Sequence, residues 1–150
     1  MPHTLTRIVL HCVFATKRRR AFLADPISEK LNPYLAGIAR NHHMHLLRAG
    51  GTPDHRHLLL QLRPRISTGE AMRVIKAHSS RWLRETFPAL ATFAWQAGYA
   101  AFAVSRSAEA AVTEYIDRQP DHHRGMTFEE ELLALLKRHG VDHDPRFVLD

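Results

Sequence analysis

Apolar and polar residues change period several times along this 150-residue chain, and each change predicts an element. Leu5 to Thr16 is a nearly continuous apolar run, rich in β-branched and aromatic residues, which predicts a buried strand. Leu31, Leu35 and Ile38 then recur at helical spacing, predicting a helix from Asp25 to about Asn41. Asp25 is its expected N-cap, Pro26 stands at its first position, and Pro33 is expected to kink it or move its start. Met44 to Ala49 reads as a second strand, Gly50-Gly51 as a turn, and His55 to Leu62 as a third strand ending at Pro64.

Ser67-Thr68-Gly69-Glu70 matches a capping box and opens a second helix, with Met72, Ile75, Ser79, Trp82 and Leu83 as its stripe. Trp82 and Trp95 are expected in the core. Tyr99 to Val104 predicts a fourth strand, and Ser107 caps a helix carrying Tyr115. Thr127 to Glu130 repeats the capping box before a last helix, Phe128 to His139, stopped by Gly140. The order β-α-β-β-α-β-α-α predicts an α+β fold over residues 1–150 as one domain. It is a ferredoxin-like (RRM-like) antiparallel sheet with helices packed on it, plus C-terminal helices, one carrying the tyrosine.

Charge narrows the partners. Lys and Arg number 21 against 15 Asp and Glu, and the pI is about 10.1. That balance favours a polyanion. Lys17-Arg18-Arg19-Arg20 is the densest patch, with Lys76 and Arg81 as further candidate DNA contacts. Acids collect late, at Glu129-Glu130-Glu131, on an element expected to face water or a partner. No apolar run approaches the ~20 residues of a membrane span. A single Cys12 fits a reduced, cytoplasmic setting.

Alternation along the third strand turns His55 and His57 to one face, about 7 Å apart at Cβ, and Leu58, Leu60 and Leu62 to the other. Two neutral imidazoles at this spacing can converge on one metal ion. The chain has 12 histidines, and His43-Met44-His45 and His122-His123 are rival clusters. His42 and His43 fit a helix C-terminus, where cationic rings meet the helix dipole. Following a Gly-Gly-Thr-Pro segment, His55 and His57 are expected at the mouth of a strand rather than in a core.

Tyr115 belongs to a helical stripe with Ala108, Ala111, Val112, Ile116 and Gln119, so a core role is one reading. The other is chemical. Tyr115 and Gln119 stand at i and i+4, and a phenol can attack phosphorus once its proton is removed. The Gln119 amide oxygen is a candidate third metal ligand. Pro120 predicts that the helix ends at Gln119, near a flexible terminus.

Several motifs in order resemble one family: His11-Cys12-Val13-Phe14-Ala15-Thr16-Lys17, Pro53-Asp54-His55-Arg56-His57-Leu58-Leu59, Ser79-Ser80-Arg81-Trp82, Trp95-Gln96-Ala97-Gly98-Tyr99 and Tyr115-Ile116-Asp117-Arg118-Gln119-Pro120-Asp121-His122-His123, followed by Thr127-Phe128-Glu129-Glu130-Glu131. The chain resembles the single-tyrosine HUH transposases of bacterial insertion sequences, the insertion-sequence-200-like group, with REP-associated tyrosine transposases as near relatives. The resemblance implies that His55, His57 and Gln119 hold Mg²⁺ or Mn²⁺ and that Tyr115 is the nucleophile. It implies hairpin-bearing single-stranded DNA as substrate, a 5′-phosphotyrosine intermediate, and no nucleotide cofactor. It also implies a homodimer in which the tyrosine helix can act in trans, in the bacterial cytoplasm at the nucleoid. A non-catalytic or domesticated single-strand binder is the alternative. One departure stands out: the residue between the histidines is normally hydrophobic, and here it is Arg56. Alternation puts it on the face of Leu58, where it is expected to snorkel to the sheet edge.

Overall fold

The computed structural model describes residues 3–144 and 146. Its main elements are β1 (Ile8–Ala15), α1 (Asp25–Asn41), β2 (Met44–Thr52), β3 (His55–Leu62), α2 (Thr68–Thr86), β4 (Ala100–Ala103), α3 (Glu109–Asp117), α4 (Gln119–His122) and α5 (Phe128–Arg138). The strands form one antiparallel sheet in the order β2-β3-β1-β4. With α1 and α2 on one face this is the expected ferredoxin-like α+β arrangement. Among the described residues no helix is long and apolar enough to cross a membrane.

Alternation decides which residues go where. Leu10, Cys12 and Phe14 of β1 and Leu58, Leu60 and Leu62 of β3 face α1 and α2, where they meet Leu31, Leu35, Met72 and Ile75. Each such fully buried aliphatic side chain contributes about 1.5–3 kcal/mol. Trp95 joins this core, its indole N–H donating to Ser79 Oγ at 2.9 Å. The opposite face carries Val9, Val13, Ala15, Leu59 and Phe102. α3 covers it with Ile116, and α5 with Phe128, Leu132, Leu135 and Leu136. Both faces are therefore closed by helices.

Several boundaries differ from the sequence reading for local reasons. β1 begins at Ile8, and Leu5 is exposed. Gly50-Gly51 is not a turn; β2 runs through it to Thr52, and the reversal falls at Pro53-Asp54. The glycines serve close approach instead. A Cβ on Gly50 would lie 2.9 Å from Ile116 Cγ2 and 2.9 Å from the Ile116 carbonyl oxygen, so α3 packs on bare backbone. Asp25 is the first helical residue, behind an Ala24 N-cap, and Pro33 lies inside α1. Ser67 and Thr127 do cap, accepting from Glu70 N–H and Glu130 N–H. Ser107 does not cap α3, which starts at Glu109 after a short 3₁₀ turn.

Candidate active site

The second sheet face carries the chemistry. In the β1–β3 ladder His57 lies opposite Val13 and His55 opposite Ala15, so both imidazoles share the face covered by α3 and α5. His11 stands two residues before Val13 on the same face. Tyr115 comes from α3. The chain leaves the helix at Arg118 (φ −94°, ψ 10°) and re-enters it as α4 at Gln119. Pro120 is accommodated in the first turn of α4, where its missing N–H is no loss. Gln119 is therefore fully buried, not at a flexible end.

α5 brings Glu131, and the site closes around it. Glu131 Oε1 lies 3.0 Å from His57 Nε2, 3.5 Å from His55 Nε2 and 3.0 Å from His123 Nε2. Its Oε2 accepts from Gln119 Nε2 at 2.8 Å and from the Tyr115 hydroxyl. Gln119 Oε1 faces His55 Nε2 at 2.9 Å and His123 Nε2 at 3.0 Å. Behind the first imidazole, His55 Nδ1 lies 2.8 Å from Asp54 Oδ1. Behind the second, His57 Nδ1 lies 2.7 Å from His11 Nε2. Two imidazole nitrogens and a carboxylate, all within 4.8 Å of one another, form a buried group that can hold a divalent metal ion.

The electrostatics follow from burial and from one carboxylate among many donors. Burial would raise the Glu131 carboxyl, but hydrogen bonds from His55, His57 and Tyr115 outweigh it and hold it well below the usual carboxylate range. Burial pushes the Tyr115 phenol up, and Glu131 adds to the shift. Burial lowers His57 to about 4 and His11 to about 3. It also lowers His55, yet bonds to Asp54, Glu131 and Gln119 leave that ring raised.

Opposing signs therefore meet in one cluster. Between about pH 6.5 and pH 4 the unfolded chain protonates His11 and His57 while the folded chain does not, so stability falls as pH falls. The raised His55 works the other way, and depressed Glu131 adds acid sensitivity below the ordinary carboxylate range. Two lowered rings against one raised ring give a net loss. We expect the chelator-treated chain to unfold at lower denaturant concentration at pH 5 than at pH 7.5. An equal or higher midpoint at pH 5 would contradict neutral, buried His11 and His57.

The sequence-derived candidates divide. His55, His57, Gln119 and Tyr115 are brought together, whereas the rival His43 and His45 are exposed on β2 and its approach. His42 is the residue after α1, its Nδ1 3.0 Å from the Ile38 carbonyl oxygen. Lys17, Arg18, Arg19 and Arg20 follow β1. Arg18 (φ 57°) and Arg19 (φ 52°) are both left-handed, and Arg19 pairs with Glu129 of α5. A cavity of about 320 Å³ lined by Arg19, Thr52, Asp54 and His123 joins that loop to the site. Lys76 and Arg81 lie on α2, against the other sheet face. Lys76 donates to the Gln96 and Gly98 carbonyls at 2.7 Å each, and Arg81 pairs with Glu85 at 3.1 Å.

Three further expectations need correcting. His55 and His57 begin β3 but do not sit at an open mouth; both are fully buried beneath α3 and α5. Arg56 does not snorkel; it is buried, donating to the His55 and Thr52 carbonyl oxygens at 3.0 Å and to Asn32 Oδ1 at 3.3 Å. Burial lowers its guanidinium to about 10, with Asp25 and Asp54 opposing the shift. Backbone acceptors at the β2–β3 reversal give it a destination that strand alternation does not reveal. Nor do the late acids all face water. Glu129 pairs with Arg19, Glu130 is exposed, and Glu131 turns inward. The sequence reading gave no role to Glu131 or His11, and took His123 only as half of the rival pair His122-His123. A signal existed for Glu131: it lies on the apolar stripe Phe128, Leu132, Leu135, which a solvated acid would avoid.

Likenesses to known proteins agree with this arrangement. A family model described as Transposase IS200 like matches residues 4–119. The ISDra2 transposase TnpA of Deinococcus radiodurans is 26% identical over 116 residues, covering 74% of this chain and 83% of that protein. A crystal structure of a candidate transposase from Deinococcus radiodurans has a TM-score of 0.64 at 26% identity, covering 79% of this chain and 95% of its own. A REP-associated tyrosine transposase bound to a REP hairpin has a TM-score of 0.61 at 15% identity, covering 100% of this chain and 90% of its own, a likeness of fold.

Proposed function

This chain belongs to the IS200-like transposase family, and from that premise we propose that it is a metal-dependent single-stranded DNA endonuclease and strand transferase acting through Tyr115. The observation that carries the reading is the convergence of one phenol, two imidazoles, one carboxylate and one amide in a single buried cluster. His55, His57 and Glu131, with Gln119 Oε1 beside them, would hold the divalent ion. Two imidazoles favour Mn²⁺ over Mg²⁺ on ligand softness. When bound, the ion supplies charge to polarise the scissile phosphate and its leaving oxygen.

The protein's own groups carry the remaining steps. The Tyr115 hydroxyl already donates to Glu131, so the carboxylate is placed to take the phenolic proton as the oxygen attacks phosphorus. A phenol held above its ordinary pKa does not ionise unaided at neutral pH, so an adjacent base is needed. One bond forms between the tyrosine oxygen and phosphorus, and the bond from phosphorus to the 3′ oxygen breaks. That oxygen leaves as a hydroxyl, taking up one proton. The reverse attack by a 3′-OH rejoins strands and returns the phenol, so no nucleotide cofactor enters the balance.

The contact of Tyr115 with Glu131 is made within one chain, and in a homodimer exchange of α3 between copies would let Tyr115 serve the partner's histidines instead. Hairpin recognition is proposed because the REP-associated structural neighbour is bound to a hairpin. The test is incubation with hairpin-bearing single-stranded DNA and Mn²⁺ or Mg²⁺, followed by denaturing electrophoresis for a covalent adduct. Metal-dependent formation of the adduct supports the reading. Binding without any adduct favours the non-catalytic alternative.

The basic loop gives a second measurable consequence. Neutralising Lys17, Arg18 and Arg20 should reduce the slope of log affinity against log salt by about 0.7 for each phosphate that is no longer neutralised. An unchanged slope would put the phosphate-binding groups elsewhere, with Lys76 and Arg81 next to be tried.

A further inference from the structure

His57 is held between two partners that constrain its protons. Its Nε2 faces Glu131 Oε1 at 3.0 Å and its Nδ1 faces His11 Nε2 at 2.7 Å. The rings of His11 and His57 are stacked, 5.0 Å apart at 30°. Each contact requires one hydrogen. In one arrangement His57 Nε2–H donates to Glu131, and His57 Nδ1 accepts from His11 Nε2–H. For Nε2 to bind a cation that proton must go, and a neutral His57 must then carry its hydrogen on Nδ1. The neighbour at Nδ1 has to change from donor to acceptor without moving.

We propose that His11 is the positioning residue of His57 and makes this exchange. An imidazole can serve either way through the same nitrogen, which a backbone carbonyl or a carboxylate, the usual partners behind a metal-bound histidine, cannot do. The protons balance. His57 loses one from Nε2 and gains one on Nδ1 from His11 Nε2, while His11 takes up one on Nδ1, so the pair holds two hydrogens before and after. Uptake at His11 needs solvent, and His11 lines a cavity of about 700 Å³ together with Tyr115, Arg138 and His139. His11 is therefore the hinge of a tautomer switch rather than a filler of the sheet face. The proposal rests on the metal reading of the preceding section.

The test uses the full chain with Mn²⁺ as the calorimetric probe and Mg²⁺ as the diamagnetic one. His11→Leu should weaken Mn²⁺ binding by about 10- to 100-fold, the usual effect of removing such a partner. His11→Gln should recover most of the loss, since its amide can turn either O or N–H toward His57; circular dichroism checks that both variants fold. Nitrogen-15 spectra of the unaltered chain should show the His57 hydrogen moving from Nε2 to Nδ1 as Mg²⁺ is added. Unchanged Mn²⁺ affinity in a folded His11→Leu, or a loaded His57 protonated on Nε2, overturns the proposal and leaves the metal reading standing. An unaltered chain that binds neither ion overturns both.

Discussion

Tyr115→Phe is expected to abolish the covalent protein–DNA adduct while leaving hairpin binding close to that of the unaltered chain. The change removes one oxygen and nothing else. That oxygen is the only atom of the side chain able to bond phosphorus, and the ring contacts with His11 and His57 remain. Losing its hydrogen bond to the ionised Glu131 should cost about 1.5–3 kcal/mol, too little to unfold a domain. Electrophoresis of the adduct, with binding measured in parallel, separates chemistry from recognition. An adduct that persists in the Phe variant would move the nucleophile to another residue. Tyr34 and Tyr99 would then be examined, although both are partly exposed and neither touches the histidine cluster.

Glu131→Ala is expected to have the largest combined effect. This carboxylate meets His55, His57, His123, Gln119 and Tyr115 from one buried position. Its removal takes away the proposed metal donor, the proposed acceptor of the tyrosine proton and the centre of a polar network together. Cleavage should fall by about 10²-fold or more, and stability by about 3 kcal/mol as buried polar groups lose their partner. Glu131→Gln keeps the shape and some bonds, so it should fold nearly as well yet still cleave poorly. The checks are single-turnover cleavage and a denaturant titration. Wild-type cleavage by a folded Glu131→Gln would remove Glu131 from both proposed roles and leave Gln119 as the third donor.

How much of this was legible in the chain differs by residue. The sheet and the division of β3 into Leu58, Leu60 and Leu62 against His55 and His57 follow from a period of two, which is local and strict. Glu131 was only faintly legible: its place on the stripe of Phe128, Leu132 and Leu135 competes with a capping box and a run of acids that have an adequate surface explanation. Only the fold, bringing α5 against β3, shows that one of the three turns inward. Gly50-Gly51 misled because glycine answers two needs, a turn or a close backbone approach, and only the position of Ile116 decides between them. The break between Tyr115 and Gln119 was half legible. Pro120 signals a helix boundary correctly, but not that a second helix begins one residue earlier and buries the amide.

The closure of the second sheet face by α5 also bears on where this protein can be cut. The family pattern ends at Gln119, yet Val13, Ala15 and Phe102 are roofed by Phe128, Leu132, Leu135 and Leu136. A fragment trimmed to the matched segment would carry His55, His57, Tyr115 and Gln119 and still present bare apolar sheet to water, the kind of surface that sticks to its own copies. The last helix is thus a solubility element as well as a source of Glu131, and useful expression boundaries lie beyond it rather than at the edge of the sequence likeness.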